Sequence, residues 1–218
     1  MHARDANPDN RSDFQSPSSQ WIVPFERNAH FTDRNSELGH LENTLFSNKQ
    51  FAKVAVSGLG GVGKTQLVLE LLYRLREKNE QFSAIWIQAT TLESLDQGYH
   101  TVAQRLGIRG SGGEDANTKK LVQSFLSDDS AGHWVLVFDN TDDVNMWIDK
   151  PEPGSQQAST RLIDYIPRNK NGRVIFTTRD RKVSEACPSE CDRAAPIDRR
   201  YGHTNVTESS HPQGARRF

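Results

Sequence analysis

Eight residues constrain this chain more than any others: Gly58-Leu59-Gly60-Gly61-Val62-Gly63-Lys64-Thr65, a match to the phosphate-binding loop G-x-x-x-x-G-K-[ST]. Ahead of them, Phe51 to Ser57 (FAKVAVS) alternates with β-branched residues and stops at Gly58, as a strand entering a glycine turn should. Behind them, Thr65 to Lys78 sets Leu67, Val68, Leu71, Leu72 and Leu75 on one helical stripe and closes in Arg74, Arg76, Glu77 and Lys78. A glycine-rich turn with a surface lysine is the plainer alternative, but it does not require a strand before and a helix after. In a phosphate loop the glycines turn successive N–H groups toward phosphate oxygens, and the helix adds its positive N-terminal end. Lys64 then reaches the β and γ phosphates, and the Thr65 hydroxyl ligates Mg²⁺.

Such a loop needs a second Mg²⁺ anchor, an acid at the C-terminal end of a neighbouring apolar strand. Asp139 fits, because it follows His133 to Phe138 (HWVLVF), a run apolar on both faces that suits a central parallel strand. The next residue is Asn140, which can position an attacking water but cannot accept its proton. Asp142 and Asp143 either substitute for that acid or are solvated loop acids. A further strand, Arg173 to Thr178 (RVIFTT), ends in Thr177-Thr178-Arg179, whose side chains are expected to face the ligand crevice. Arg179 there would contact the γ-phosphate and report ATP against ADP.

The remaining chain divides around this unit. Ser83 to Gln88 (SAIWIQ) reads as a short strand. Leu92, Leu95, Tyr99, Val102 and Leu106 step as a helix with Gly107 at its end, and Leu38, Leu41 and Leu45 mark an earlier helix with Ser36 placed to cap it. Arg109 to Asn117 reads as a loop, followed by short helices around Leu121 to Leu126 and Leu162 to Ile166. Strands alternating with helices at this spacing imply βαβ units and a mostly parallel sheet. Hydrophobic residues make up only 34% and mean hydropathy is −0.72, because a polar, disordered head (1–20) and an irregular tail (183–218) dilute one domain at 21–182.

Lys plus Arg number 27 against 28 for Asp plus Glu, which lacks the basic footprint of a nucleic-acid binder. No apolar run approaches a membrane span or signal segment, so the expectation is a cytoplasmic chain without a membrane partner. Cys187 and Cys191 read as free thiols, being too few for a disulfide framework.

Four blocks, PFERNAHFTDRNSELGHLE (24–42), VAVSGLGGVGKTQLVLELLYRLRE (54–77), WVLVFDNTDDVNMWI (134–148) and GRVIFTTRDRK (172–182), occur in the order of the NB-ARC (STAND-class) nucleotide-binding domain. The chain resembles that family over 21–182, most of all its fungal NOD-like receptor branch. The resemblance implies an α/β fold: a P-loop NTPase three-layer α/β/α sandwich, here with the final strand and the helical ARC region missing. It also implies an ATP/ADP and Mg²⁺ site in which Phe31, Thr32 and Arg34 wrap adenine and ribose. The loop residues Gly58, Gly60, Gly61, Val62, Gly63, Lys64, Thr65 and Gln66, with Asp139, Thr178 and Arg179, would hold the phosphates. Asp33 stands where the family usually has Gly. Adenine is preferred to guanine because Asn169-Lys170-Asn171-Gly172 fails the guanine-reading Asn-Lys-x-Asp pattern at its fourth position. Without the fifth strand, Phe51 to Ser57 would lie at an exposed edge. Three functions follow: an ATP/ADP-binding module of a signalling switch with protein partners or self-association, a turnover ATPase, or a truncated fragment acting only through protein contacts.

Overall fold

In the computed structural model, residues 19–32, 34–47, 50–110, 115–148 and 161–180 are described. The head before residue 19, Asp33, the proline-containing stretch at 149–160, both cysteines and the tail lie outside the described residues. Five parallel strands form one sheet in the order β1-β3-β4-β5-β2. They are β1 (Trp21–Ile22), β2 (Ala52–Ser57), β3 (Ser83–Gln88), β4 (Trp134–Asp139) and β5 (Gly172–Thr178). Four of these correspond to the expected strands. The fifth, β1, has no periodicity to betray it, since only Trp21 and Ile22 pair, with Ala84 and Ile85.

Helices cover both faces, giving the expected three layers. On one face lie α1 (Asn35–Phe46) and α2 (Lys64–Lys78), which bury Leu38, Leu41, Leu45, Leu67, Val68 and Leu71 against Val54, Val56, Val135, Val137 and Ile175. On the other lie α3 (Leu92–Arg105), α4 (Asp115–Ser127) and α5 (Val144–Ile148), packed on Ile85, Ile87, Leu136, Phe138, Val174 and Phe176. Strand side chains alternate between faces, so β4 and β5 are apolar on both sides and buried throughout. Among the described strands β2 pairs only with β5, which leaves the phosphate-loop strand at a sheet edge.

Local expectations needed four corrections. Ser36 does not cap α1: the helix starts two residues earlier with Arg34 at the N-cap, and the Ser36 hydroxyl instead donates to Glu37 at 2.7 Å. The loop expected at 109–117 ends sooner, because α4 begins at Asp115. The turn at Leu162–Tyr165 is 3₁₀ rather than α-helical. Helix α5 was not anticipated; the Asp143 carboxylate accepts the Met146 N–H at 3.2 Å and so caps its start.

Two contacts fix the frame beneath the site. Gly172 sits opposite Trp134 in the β4–β5 ladder, and a Cβ there would stand 2.2 Å from the indole ring. That indole is fully buried and donates its N–H to the Leu126 carbonyl at 3.0 Å. On the opposite face, the segment after β1 is stapled to α2. Arg27 forks onto both oxygens of the Glu70 carboxylate at 2.9 Å each and also pairs with Glu77, while Arg74 donates to Glu70 at 2.8 Å. The Arg27 hydrogen bond, working against burial, holds the Glu70 carboxyl below the ordinary carboxylate range, and the same pairing raises the Arg27 guanidinium. Tyr73 donates to the Phe25 carbonyl at 3.0 Å, and Arg76 stacks on Trp21 at 4.5 Å.

Candidate functional site

Where β2 ends, the Gly58 N–H donates to the Thr178 carbonyl at 3.2 Å, which ties the loop to β5. The chain then turns through Gly61 (φ 76°) and Gly63 (φ 82°), left-handed conformations that glycine adopts without steric cost. Gly63 is the N-cap of α2, so the loop delivers its backbone directly into a helix N-terminus. Lys64 is 7% exposed and folds back over the loop, its Nζ donating to the carbonyls of Gly58 (2.8 Å) and Leu59 (3.0 Å). Burial lowers the pKa of this ammonium; the charges of Asp142 and Asp139 oppose the shift, and Arg179 adds to it.

Asp139, 2% exposed, ends β4 on the same face as α2. Its Oδ1 accepts the Thr65 hydroxyl at 3.0 Å and the Thr177 hydroxyl at 2.5 Å, and its Oδ2 accepts Gln88 Nε2 at 3.3 Å. Period-two alternation explains the convergence. Gln88 follows Trp86, Asp139 follows Val137 and Thr177 follows Ile175, and all three predecessors belong to the core beneath α2. The Thr177 hydroxyl also accepts the Asn140 N–H at 2.9 Å, which holds Asn140 at φ 65°. Thr141 donates through its N–H and its hydroxyl to the Thr177 carbonyl at 2.8 and 3.1 Å, so the turn after β4 is stitched to β5.

The Thr65 hydroxyl and the Asp139 carboxylate thus present two hard oxygens on one spot, and no group of three His, Cys, Asp or Glu side chains gathers elsewhere among the described residues. This sparse set fits Mg²⁺, which keeps several waters and takes one or two protein oxygens with substrate phosphates.

Thr177 and Thr178, both expected to face the crevice, are both fully buried, and Thr178 lies one residue out of phase with the Thr177 hydroxyl that meets Asp139. The Thr178 hydroxyl donates to the Thr141 carbonyl at 3.1 Å and accepts the Asp180 N–H at 3.0 Å. Arg179 does reach the loop: its guanidinium lies 3.4 Å from the position of a Cβ on Gly60. Asp142, for which the sequence leaves a substitute acid or a solvated loop acid, is partly exposed and engaged by Arg179. Its carboxylate grips Arg179 twice, accepting the backbone N–H at 2.6 Å and pairing with Nε at 3.2 Å.

The structure therefore brings Gly58 to Thr65, Asp139, Asn140 and Arg179 together. The segment ahead of the loop contributes less uniformly. Arg34 donates from Nη1 to the Val62 carbonyl at 2.8 Å and from Nε to Glu37 at 3.2 Å. Phe31 is half-buried against the core beneath α2, Thr32 is exposed, and Gln66 is exposed in the first turn of α2. Sequence reasoning missed Gln88 and Thr177 as partners of Asp139, and Asp142 as the partner of Arg179. No helix among the described residues is long and apolar enough to cross a membrane.

Known proteins resemble this chain in sequence. The NB-ARC domain profile matches residues 34–196. A nucleotide-binding leucine-rich repeat (NLR)-like protein of Hyaloscypha variabilis is 33% identical over 166 residues, covering 74% of this chain and 17% of that protein. Disease resistance RPP13-like protein 4 of Arabidopsis thaliana is 23% identical, covering 81% of this chain and 19% of its own length. The chain thus spans less than a fifth of either relative. Among solved structures, Cdc6p of Pyrobaculum aerophilum overlaps 74% of this chain and 42% of its own at a TM-score of 0.46 and 13% identity. With the profile matching most of this chain, from Arg34 through the phosphate loop, Asp139 and Arg179, the chain belongs to the NB-ARC family.

Proposed function

We propose that the chain is the ATP/ADP-binding module of an NLR-like signalling switch, binding nucleotide phosphates and Mg²⁺ with slow or absent hydrolysis. The observation that carries this is the meeting of a glycine loop, a helix N-terminus, a buried lysine and the Thr65–Asp139 pair at one point. On binding, Lys64 exchanges the carbonyls of Gly58 and Leu59 for phosphate oxygens, so the ammonium is already aimed and desolvated. The loop N–H groups orient the phosphates, and Thr65 and Asp139 would hold Mg²⁺, which supplies charge neutralisation between them. Phe31, Thr32, Arg34 and Gln66 border the nucleotide, with Arg34 braced on the loop through Val62. Arg179 reads the γ-phosphate. Turnover is slow because Asn140 carries no proton-accepting group and its N–H is committed to Thr177.

In this reading the partners are an adenine nucleotide and other protein domains, including further copies of the module, and not nucleic acid. Titration calorimetry with Mg-ADP and a non-hydrolysable ATP analogue tests it, with Lys64→Ala as the control. Binding abolished by that substitution supports the module; no binding, or binding indifferent to it, ends the idea. Phosphate release lost on Asp139→Ala would instead favour a turnover ATPase.

A further inference from the structure

The contact between Asp142 and Arg179 is a strong polar interaction at the loop that neither the phosphate-binding geometry nor the Mg²⁺ pair requires. Arg179 is attached to Asp142 at two points, the backbone N–H to Oδ1 (2.6 Å) and Nε to Oδ2 (3.2 Å). Asp142 is seated by the turn that Thr141 stitches to β5, so the carboxylate is carried by a fixed frame. The Arg179 side chain is 62% exposed, and its guanidinium rests at the rim of the loop beside Gly60. It therefore has a partner before any nucleotide arrives, and that partner bears the same sign of charge as a phosphate.

We propose that Asp142 is a positioning residue that parks Arg179 against the loop and competes with the γ-phosphate for it. This inference rests on the nucleotide-binding reading above and adds to it the group that sets ATP against ADP preference. ADP leaves the Asp142–Arg179 pair in place. ATP gains Arg179 only by drawing the guanidinium away from a carboxylate, so the net preference is the difference between two charged contacts. Removing the competitor raises the preference for ATP, and the same change has no such effect where the guanidinium is absent.

The experiment uses the whole chain and titrates Mg-ADP and Mg-β,γ-imido-ATP into the wild type, Asp142→Asn, Asp142→Glu, Arg179→Gln and the Asp142→Asn/Arg179→Gln pair. Asn keeps an acceptor for the Arg179 N–H but drops the charge. The expected result is a roughly two- to fivefold rise in the analogue-to-ADP affinity ratio for Asp142→Asn, the range for a partly exposed ion pair. Asp142→Glu keeps the wild-type ratio, and Arg179→Gln lowers it and abolishes the response to Asn. An unchanged ratio in a wild-type background that binds both nucleotides overturns this inference alone, as does an equal rise in the Arg179→Gln background. Equal weakening of both nucleotides with a lower Tm would make Asp142 a prop of the turn and nothing more. A wild type that binds neither nucleotide takes down the proposed function, and this inference with it. Should Asp142→Asn fail to fold, Arg179→Gln carries the test, and a ratio it leaves unmoved overturns the competition.

Discussion

The two ends of β4 and β5 are built on opposite terms. At their start, Trp134 lies over Gly172 with no room for a single added carbon, and its one polar atom is spent on Leu126. At their finish, Asp139, Thr177 and Thr178 fill the same kind of buried space with hydroxyls and carboxylates, whose partners come from β3, α2 and the following turn. One end resists change by packing, where every displaced atom costs contact. The other end is held by hydrogen bonds among hydroxyls, an amide and a carboxylate, whose loss costs each buried group its partner. A binding site is affordable at the second end because the first is rigid.

This contrast predicts that substitutions at the two ends fail differently. The largest effect is expected for Lys64→Ala, which removes two charged contacts of about 1.5 kcal/mol each and so weakens nucleotide binding by roughly 100-fold. Circular dichroism should show an intact fold, and a collapse instead would mean that the loop lysine is structural. Gly172→Ala should do the reverse, lowering stability by about 1–3 kcal/mol through overpacking against Trp134. A thermal melt checks it, and an unchanged Tm would show that the start of the strands has slack after all.

Between these lies Thr177→Val, nearly the same shape without the hydroxyl. It leaves the Asn140 N–H without its acceptor and Asp139 with one donor fewer, at an expected cost of about 1–2 kcal/mol in stability. Because it touches the hydrogen-bonded end, nucleotide affinity should fall with it, and a stability loss with affinity untouched would separate Thr177 from the site. The smallest effect concerns pH. Glu70 has its folded-state pKa depressed by Arg27, so its contribution is present above the ordinary carboxylate value of about 4.3 and is lost as pH falls through the lower folded value. The Tm difference between wild type and Glu70→Gln should therefore shrink as pH falls from about 5 toward 3. A difference that stays constant would remove the charge from the account of the staple.

Much of this was readable in the chain. The loop, its flanking strand and helix, Asp139 and Arg179 announce themselves because their chemistry is local: a glycine spacing, an apolar run, an acid at its end. What was missed depends on residues far apart in sequence. Gln88 meets Asp139 across 51 positions and Arg27 meets Glu70 across 43, and no local pattern encodes either contact. Trp21 and Ile22 pair only because Ala84 and Ile85 are in reach. Thr177 was recoverable: Ile175 belongs to the core beneath α2, and counting two residues on puts Thr177, not Thr178, on the side of the loop helix.

The Arg27 staple has a mechanical consequence. It grips α2 at Glu70, six residues and about 9 Å along the axis from Lys64 at the helix start. Between Gln20 and that grip the chain is held by the β1 pairing, by Arg76 on Trp21 and by Tyr73 on the Phe25 carbonyl. One helix thus carries the phosphate loop at its first residue and, under two turns on, the anchor of the segment that follows β1, so loop and segment share a single support.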